Sequence, residues 1–144
     1  MKIKKLKFLK PKAEKAQGQW LIEQGISAGF PSPADDFNEL RISLDKELVK
    51  NKESTFYARV NGNSMIDAGI ADGDLLIIDR SLNPENNKVA VCFIEGEFTI
   101  KRILKIADKL YLKPENKKYS EMEIKEEDNL IIWGIVTYVI KKIS

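Results

Sequence analysis

Apolar positions along this chain come in short runs broken by Gly, Pro and Asn, a spacing that predicts strands far more often than helices. Residues 1–10 interleave lysines with Ile3, Leu6 and Phe8, which suits an edge strand, and Pro11 closes it. Residues 13–24, with Trp20, Leu21 and Ile22, read as a helix or an irregular arm, and residues 25–29 as extended, flexible backbone. Pro31 and Pro33 stop regular structure before a short helix over 43–50, with Ser43 or Asp45 as its N-cap.

Beyond residue 50 the pattern sharpens. The β-branched and aromatic content of residues 55–60 predicts a strand, and residues 64–68 form a single helical turn. Asp72-Gly73 marks a turn into 74–79, a strand too apolar to keep one face wet. After a loop at 84–87, strands at 89–94 and 97–106 are joined by Glu95-Gly96, a two-residue hairpin signal. A turn at 107–109 leads to a strand at 110–113 and a polar loop at 114–120. Residues 130–140 close the fold as one long strand, with Gly134 the place where it would break. The expected class is mainly β: about seven to nine strands in a curled, partly closed sheet with short helices, preceded by a mobile N-terminal arm.

With 144 residues and 43% apolar side chains the chain has room for one domain with a real core. Its single cysteine, Cys92, sits in an apolar run and reads as a buried structural thiol. The absence of a disulfide framework fits a reducing cytoplasm. No apolar run approaches the roughly 20 residues that span a bilayer, and no apolar segment follows the Lys-rich start as a signal peptide requires. Charge is uneven: residues 1–28 carry seven lysines against Glu14 and Glu23, or +5, so that with a total of +2 the remainder carries −3. A core of that sign is poorly suited to gripping phosphates, and the basic arm reads equally well as a solvated tail.

The chain has no histidine, which removes Ser-His-Asp, Cys-His and His-dependent metal chemistry and leaves lysine as the base available to a nucleophile. A buried lysine can serve, because desolvation disfavours the ammonium form. Ser64, in the turn Asn61-Gly62-Asn63-Ser64-Met65, is the candidate hydroxyl, and its place before a helical turn makes the N–H groups of Asn63 and Ser64 candidate oxyanion donors. Each residue also has a plainer reading. Ser64 can be an ordinary N-cap, and Lys101 a solvent-facing strand lysine, since apolar neighbours on both sides leave its face open. Met65 is expected to pack beneath the turn, and Arg102 to lie on the surface.

Three segments decide between these readings: Asn61-Gly-Asn-Ser-Met-Ile-Asp-Ala-Gly-Ile70, Ala71-Asp-Gly-Asp-Leu-Leu-Ile-Ile-Asp79 and Glu97-Phe-Thr-Ile-Lys-Arg102. Together they resemble the LexA/UmuD family of self-cleaving proteins, on its UmuD side, from about Gly29 to the C-terminal strand. The resemblance implies that Ser64 is the nucleophile and Lys101 the general base. It implies that the bond cut is Ala28-Gly29, which divides a regulatory arm, 1–28, from a peptidase and dimerisation domain, 29–144. It further implies a cytoplasmic homodimer in the SOS response, stimulated by RecA filaments on single-stranded DNA. The shortened protein would then serve a UmuC-like Y-family polymerase in translesion synthesis, with little direct DNA binding, no membrane, no cofactor and no metal. Small residues at the cut let an extended substrate lie against the nucleophile. Ala-Gly is the LexA-like form of this dipeptide, where close UmuD relatives often carry Cys-Gly.

Three rivals remain. A LexA-like repressor needs a DNA-binding domain of about 60 residues or more ahead of the cut, where 28 stand here. Type I signal peptidases share the Ser-Met and Lys pair but are membrane-anchored. A dimeric binding module keeps the fold without the catalysis, and incubation at alkaline pH separates it from a peptidase.

Overall fold

The computed structural model describes residues 9–11, 19–22, 28 and 39–144. These fall into two compact units, residues 9–11 with 51–144, and the described residues within 12–50.

The smaller unit holds two four-residue strands, β1 (Gln19–Ile22) and β2 (Glu39–Ile42), paired antiparallel with Gln19 opposite Ile42. Helix α1 (Leu44–Leu48) follows, with Ser43 at its N-cap as expected, although the serine side chain makes no capping bond. β1 replaces the helix or irregular arm expected at those four positions, and β2 was not expected at all. The expected extended segment at 25–29 lies outside the described residues except for Ala28, which is exposed in a bend.

The larger unit is one seven-stranded antiparallel sheet. Its strands are β3 (Thr55–Arg59), β4 (Leu75–Asp79), β5 (Val89–Ile94), β6 (Glu97–Ile106), β7 (Lys109–Lys113), β8 (Met122–Ile124) and β9 (Ile131–Ile140), in the order β3-β4-β9-β5-β6-β7-β8. The sheet is open, with β3 and β8 at its ends. Beyond β3, Leu9 and Tyr57 exchange backbone hydrogen bonds of 3.0 and 2.7 Å as an isolated bridge; of the edge strand expected over 1–10 only this bridge is described, and residues 1–8 lie outside the described set.

Both faces of the sheet are covered by apolar side chains, which is why its central strands read as apolar runs without alternation. Val91, Ile100, Leu76 and Ile78 pack on one side with Ala58, Met65 and Ile70. Ala90, Cys92, Ile103, Leu112 and Ile135 form a second cluster. β9 runs between β4 and β5 and does not break at Gly134; its register slips against each neighbour, opposite Ile77/Ile78 and opposite Val91/Cys92. Gly134 is needed for closeness: a Cβ there would lie 2.6 Å from Ile78 Cγ2. The Glu95-Gly96 hairpin forms as expected, with positive φ at both residues (51° and 77°), the twist a two-residue hairpin favours. β6 is thereby held between β5 and β7 along its length, and Lys101 stands in its middle opposite Ala90.

Candidate active site

β3 runs out into the turn that carries Ser64. The turn reverses at Gly62, whose φ of 111° few side chains tolerate, and Gly62 N–H donates to Asp72 Oδ1 at 2.7 Å. Asp72 N–H in turn reaches Asn63 Oδ1 at 3.4 Å. Met65 is buried in the core beneath the turn, as its apolar character predicts. The helical turn is a three-residue 3₁₀ segment, Ile66–Ala68, capped at Met65, so Ser64 precedes the cap rather than occupying it. The N-cap reading of Ser64 is corrected by this; the expected turn at 64–68 is present as a hydrogen-bonded turn, closed by Ile66 N–H on the Asn63 carbonyl at 3.2 Å, that runs into the 3₁₀ segment.

Lys101 reaches this turn from β6. Its Nζ lies 3.3 Å from Ser64 Oγ, 2.6 Å from Thr99 Oγ1 and 3.0 Å from the Ile100 carbonyl oxygen. Both residues of the pair are buried, Ser64 at 6% and Lys101 at 9% exposure, so Lys101 is no solvent-facing strand lysine. Burial holds the Lys101 pKa below the ordinary lysine value, because an ammonium loses more than an amine when water is removed. Cys92, more deeply buried still, has its thiol pushed up to about 12 by the same cause. It behaves as the structural thiol its apolar run suggested.

A pocket of about 190 Å³ opens beside Lys101 and Thr99, with Ile94, Leu112, Pro114 and Met122 among its lining. Lys101 therefore borders a mostly apolar recess with room for part of a peptide, while Ser64 is not part of its lining. Among the described residues no group of three or more His, Cys, Asp or Glu gathers as a metal site, and no helix is long and apolar enough to cross a membrane.

Residues that sequence reasoning missed support both sides of the pair. Thr99 is two positions from Lys101 on the same strand face, a period-2 relation visible in the sequence once Lys101 is chosen. Arg102, expected on the surface, is half-buried: its Nε meets Glu115 Oε1 at 2.5 Å and its Nη1 donates to the Asn87 carbonyl at 2.5 Å. Glu115 also braces the turn, its N–H donating to Met65 Sδ at 3.3 Å and its carbonyl accepting Asp67 N–H at 2.7 Å. Nothing local marks Glu115, because its partners in the turn, Met65 and Asp67, lie some fifty residues away.

Of the remaining expected site residues, Asn63 lies in the turn beside Ser64, Ala28 lies in the smaller unit, and Gly29 is outside the described residues.

Comparison with known proteins identifies the family of the chain. The sequence profile of the family described as Peptidase S24-like matches residues 21–137, which include Ser64 and Lys101. The chain belongs to this family. Among its relatives, protein MucA of Salmonella typhimurium is 40% identical over 116 residues, 80% of this chain and 79% of MucA. Protein ImpA of Shigella flexneri is 36% identical over 122 residues, 85% of this chain and 83% of ImpA. The LexA repressor of Clostridium kluyveri is 42% identical over 108 residues, 72% of this chain and 54% of the repressor. The S24-like chain thus stands in the LexA/UmuD family on its UmuD-like side, and the family is one of serine peptidases.

Proposed function

We propose that this chain is a UmuD-like self-cleaving serine peptidase in which Ser64 attacks the Ala28-Gly29 bond and Lys101 is the general base. The observation that carries the reading is the 3.3 Å approach of Lys101 Nζ to Ser64 Oγ, with both residues buried.

The chemistry follows from the contacts. A neutral lysine has two N–H bonds and a lone pair; donating to Thr99 Oγ1 and the Ile100 carbonyl turns the lone pair toward Ser64. Lys101 takes the hydroxyl proton as Ser64 Oγ bonds to the Ala28 carbonyl carbon, and the carbonyl oxygen becomes an oxyanion held by the N–H groups of Asn63 and Ser64. Collapse breaks the C–N bond, and the Lys101 ammonium gives its proton to the departing Gly29 amine. Water, deprotonated by Lys101, then releases Ala28 from Ser64 and restores the serine. The cut separates residues 1–28 from 29–144.

In this reading the chain is a cytoplasmic homodimer of the SOS response. A RecA filament on single-stranded DNA stimulates cleavage by favouring the arrangement in which the arm meets the pair. The shortened form assists a UmuC-like Y-family polymerase in translesion synthesis, with little DNA contact of its own.

Incubation of the purified chain at alkaline pH, followed by mass measurement and N-terminal sequencing, tests the reading. A product beginning Gly29-Phe30-Pro31, lost in Ser64→Ala and in Lys101→Ala, supports it. A different product start removes the assigned bond, and cleavage that persists in either variant removes the pair.

A further inference from the structure

The Asn63 carbonyl and the Ser64 N–H belong to one peptide unit. In a planar trans peptide the two point in opposite directions, so whatever holds the carbonyl also aims the N–H. The Asn63 oxygen is held twice. Ile66 N–H donates to it at 3.2 Å from within the turn, and Asn116 Nδ2 donates to it at 2.8 Å from the loop after β7.

The orientation of the Asn116 amide is itself fixed. Its Oδ1 accepts the N–H of Lys118 at 3.0 Å, so the nitrogen is the end that faces the turn. The loop is tied down on either side of this contact. Pro114 is buried, and Glu115 is held by Arg102, by Met65 Sδ and by Asp67 N–H. Arg102 directly follows Lys101 on β6, so the base and the loop bearing Asn116 hang from the same strand.

We infer that Asn116 is the positioning residue of the oxyanion site: by holding the Asn63 carbonyl, its side-chain amide aims the Ser64 N–H. Donation into a carbonyl also polarises its peptide, which strengthens the N–H on the far side as a donor. Asn116 touches neither Lys101 nor the hydroxyl, so its contribution belongs to stabilisation of the oxyanion and not to proton transfer. The inference rests on the Ser64 N–H being an oxyanion donor in self-cleavage.

Those two kinds of contribution separate in a pH–rate profile. First-order self-cleavage of the full chain would be measured from pH 6 to 11 for the wild type, Asn116→Asp, Asn116→Ala, Ser64→Ala and Lys117→Ala, with thermal midpoints alongside. Asn116→Asp has nearly the same shape and keeps an oxygen for Lys118 N–H, but sets a carboxylate oxygen against the Asn63 carbonyl. Both Asn116 variants are expected to lower the alkaline plateau by about tenfold to a hundredfold; the pH midpoint stays unmoved in Asn116→Ala because Lys101 keeps its contacts, whereas the new carboxylate in Asn116→Asp favours the ammonium and moves the midpoint upward if at all. Lys117→Ala, an exposed neighbour, is expected to cleave at the wild-type rate. Plateaus within twofold of wild type in both Asn116 variants overturn the inference, as does a shifted midpoint with the plateau intact. Loss of fold in both variants also overturns it, by making Asn116 a structural residue. A cleaving wild type with a silent Ser64→Ala leaves the catalytic reading standing whatever Asn116 does. Cleavage by Ser64→Ala, or none by the wild type, removes that reading and this inference together.

Discussion

Thr99 Oγ1 stands 2.6 Å from Lys101 Nζ, on the same face of β6 and inside the sheet. The hydroxyl both steadies the amine and favours its charged form, since an ammonium is held more strongly than an amine by a hydrogen-bond acceptor. Thr99→Val keeps the shape and removes that acceptor. Lys101 should then lose its proton at lower pH yet be aimed less well. The midpoint of the cleavage profile should move down and its plateau fall about tenfold. An unchanged midpoint would show that Thr99 does not act on Lys101.

The pH dependence of the wild type follows from the same lysine. In the proposed mechanism cleavage requires the neutral amine, so its rate should rise about tenfold per pH unit and level off at the Lys101 pKa, below the ordinary lysine value of 10.5. Ser64→Ala and Lys101→Ala should each abolish the rate, and the double variant should be no worse than either, because the two groups act as one unit. A rate that falls as pH rises from 6 to 11 excludes Lys101 as the base.

Stability should carry the same signature without any cleavage. A lysine whose folded pKa is depressed leaves the unfolded chain holding more protons between the two pKa values, so stability rises with pH across that window. Compared in a Ser64→Ala background, the Lys101→Met protein should be the more stable at neutral pH. Its advantage should shrink as pH climbs toward 10.5, with a slope of up to about 1.4 kcal/mol per pH unit. Parallel denaturation curves at all pH values would contradict this.

Asp79 provides the opposite case. Burial pushes its carboxyl up, but hydrogen bonds from Asn51, Ser81 and Ser54 outweigh that and hold it below the usual value of 3.8. Its stabilisation is therefore complete above that value and is lost as pH falls through the lower, folded one. Asp79→Ala should cost about 1–3 kcal/mol at pH 7 by leaving these donors without their acceptor. Urea titrations at pH 7 and pH 2.5 should show the difference narrowing in acid.

Gly134→Ala tests the packing of β9 on β4. Its Cβ would meet Ile78, which is fully buried and has nowhere to move. A loss of about 1–3 kcal/mol is expected, read as a lower midpoint in chemical denaturation.

What the sequence made legible was local. The Glu95-Gly96 hairpin, the apolar strand at β4 and the long C-terminal strand each announce themselves within a dozen residues. β1 and β2 did not, because each spans four residues and finds its partner only after a long intervening segment. β8 was hidden in the same way, with Met122 and Glu123 exposed and three residues too few to show a period. The buried face of Lys101 escaped alternation because β6 is covered on both sides. Asn116 and Glu115 escaped because their role lies in contacts with a turn some fifty residues earlier.

The buried thiol of Cys92 has a practical consequence. Alkylating reagents require both access and thiolate, and Cys92, with no exposed surface and a pKa pushed up to about 12, offers neither while β5 stays paired with β6 and β9. A mass shift at that one sulfur therefore acts as a clock on sheet opening. The proposed arm removal and strand separation can be timed in the same sample, one by a lost fragment and the other by an added label.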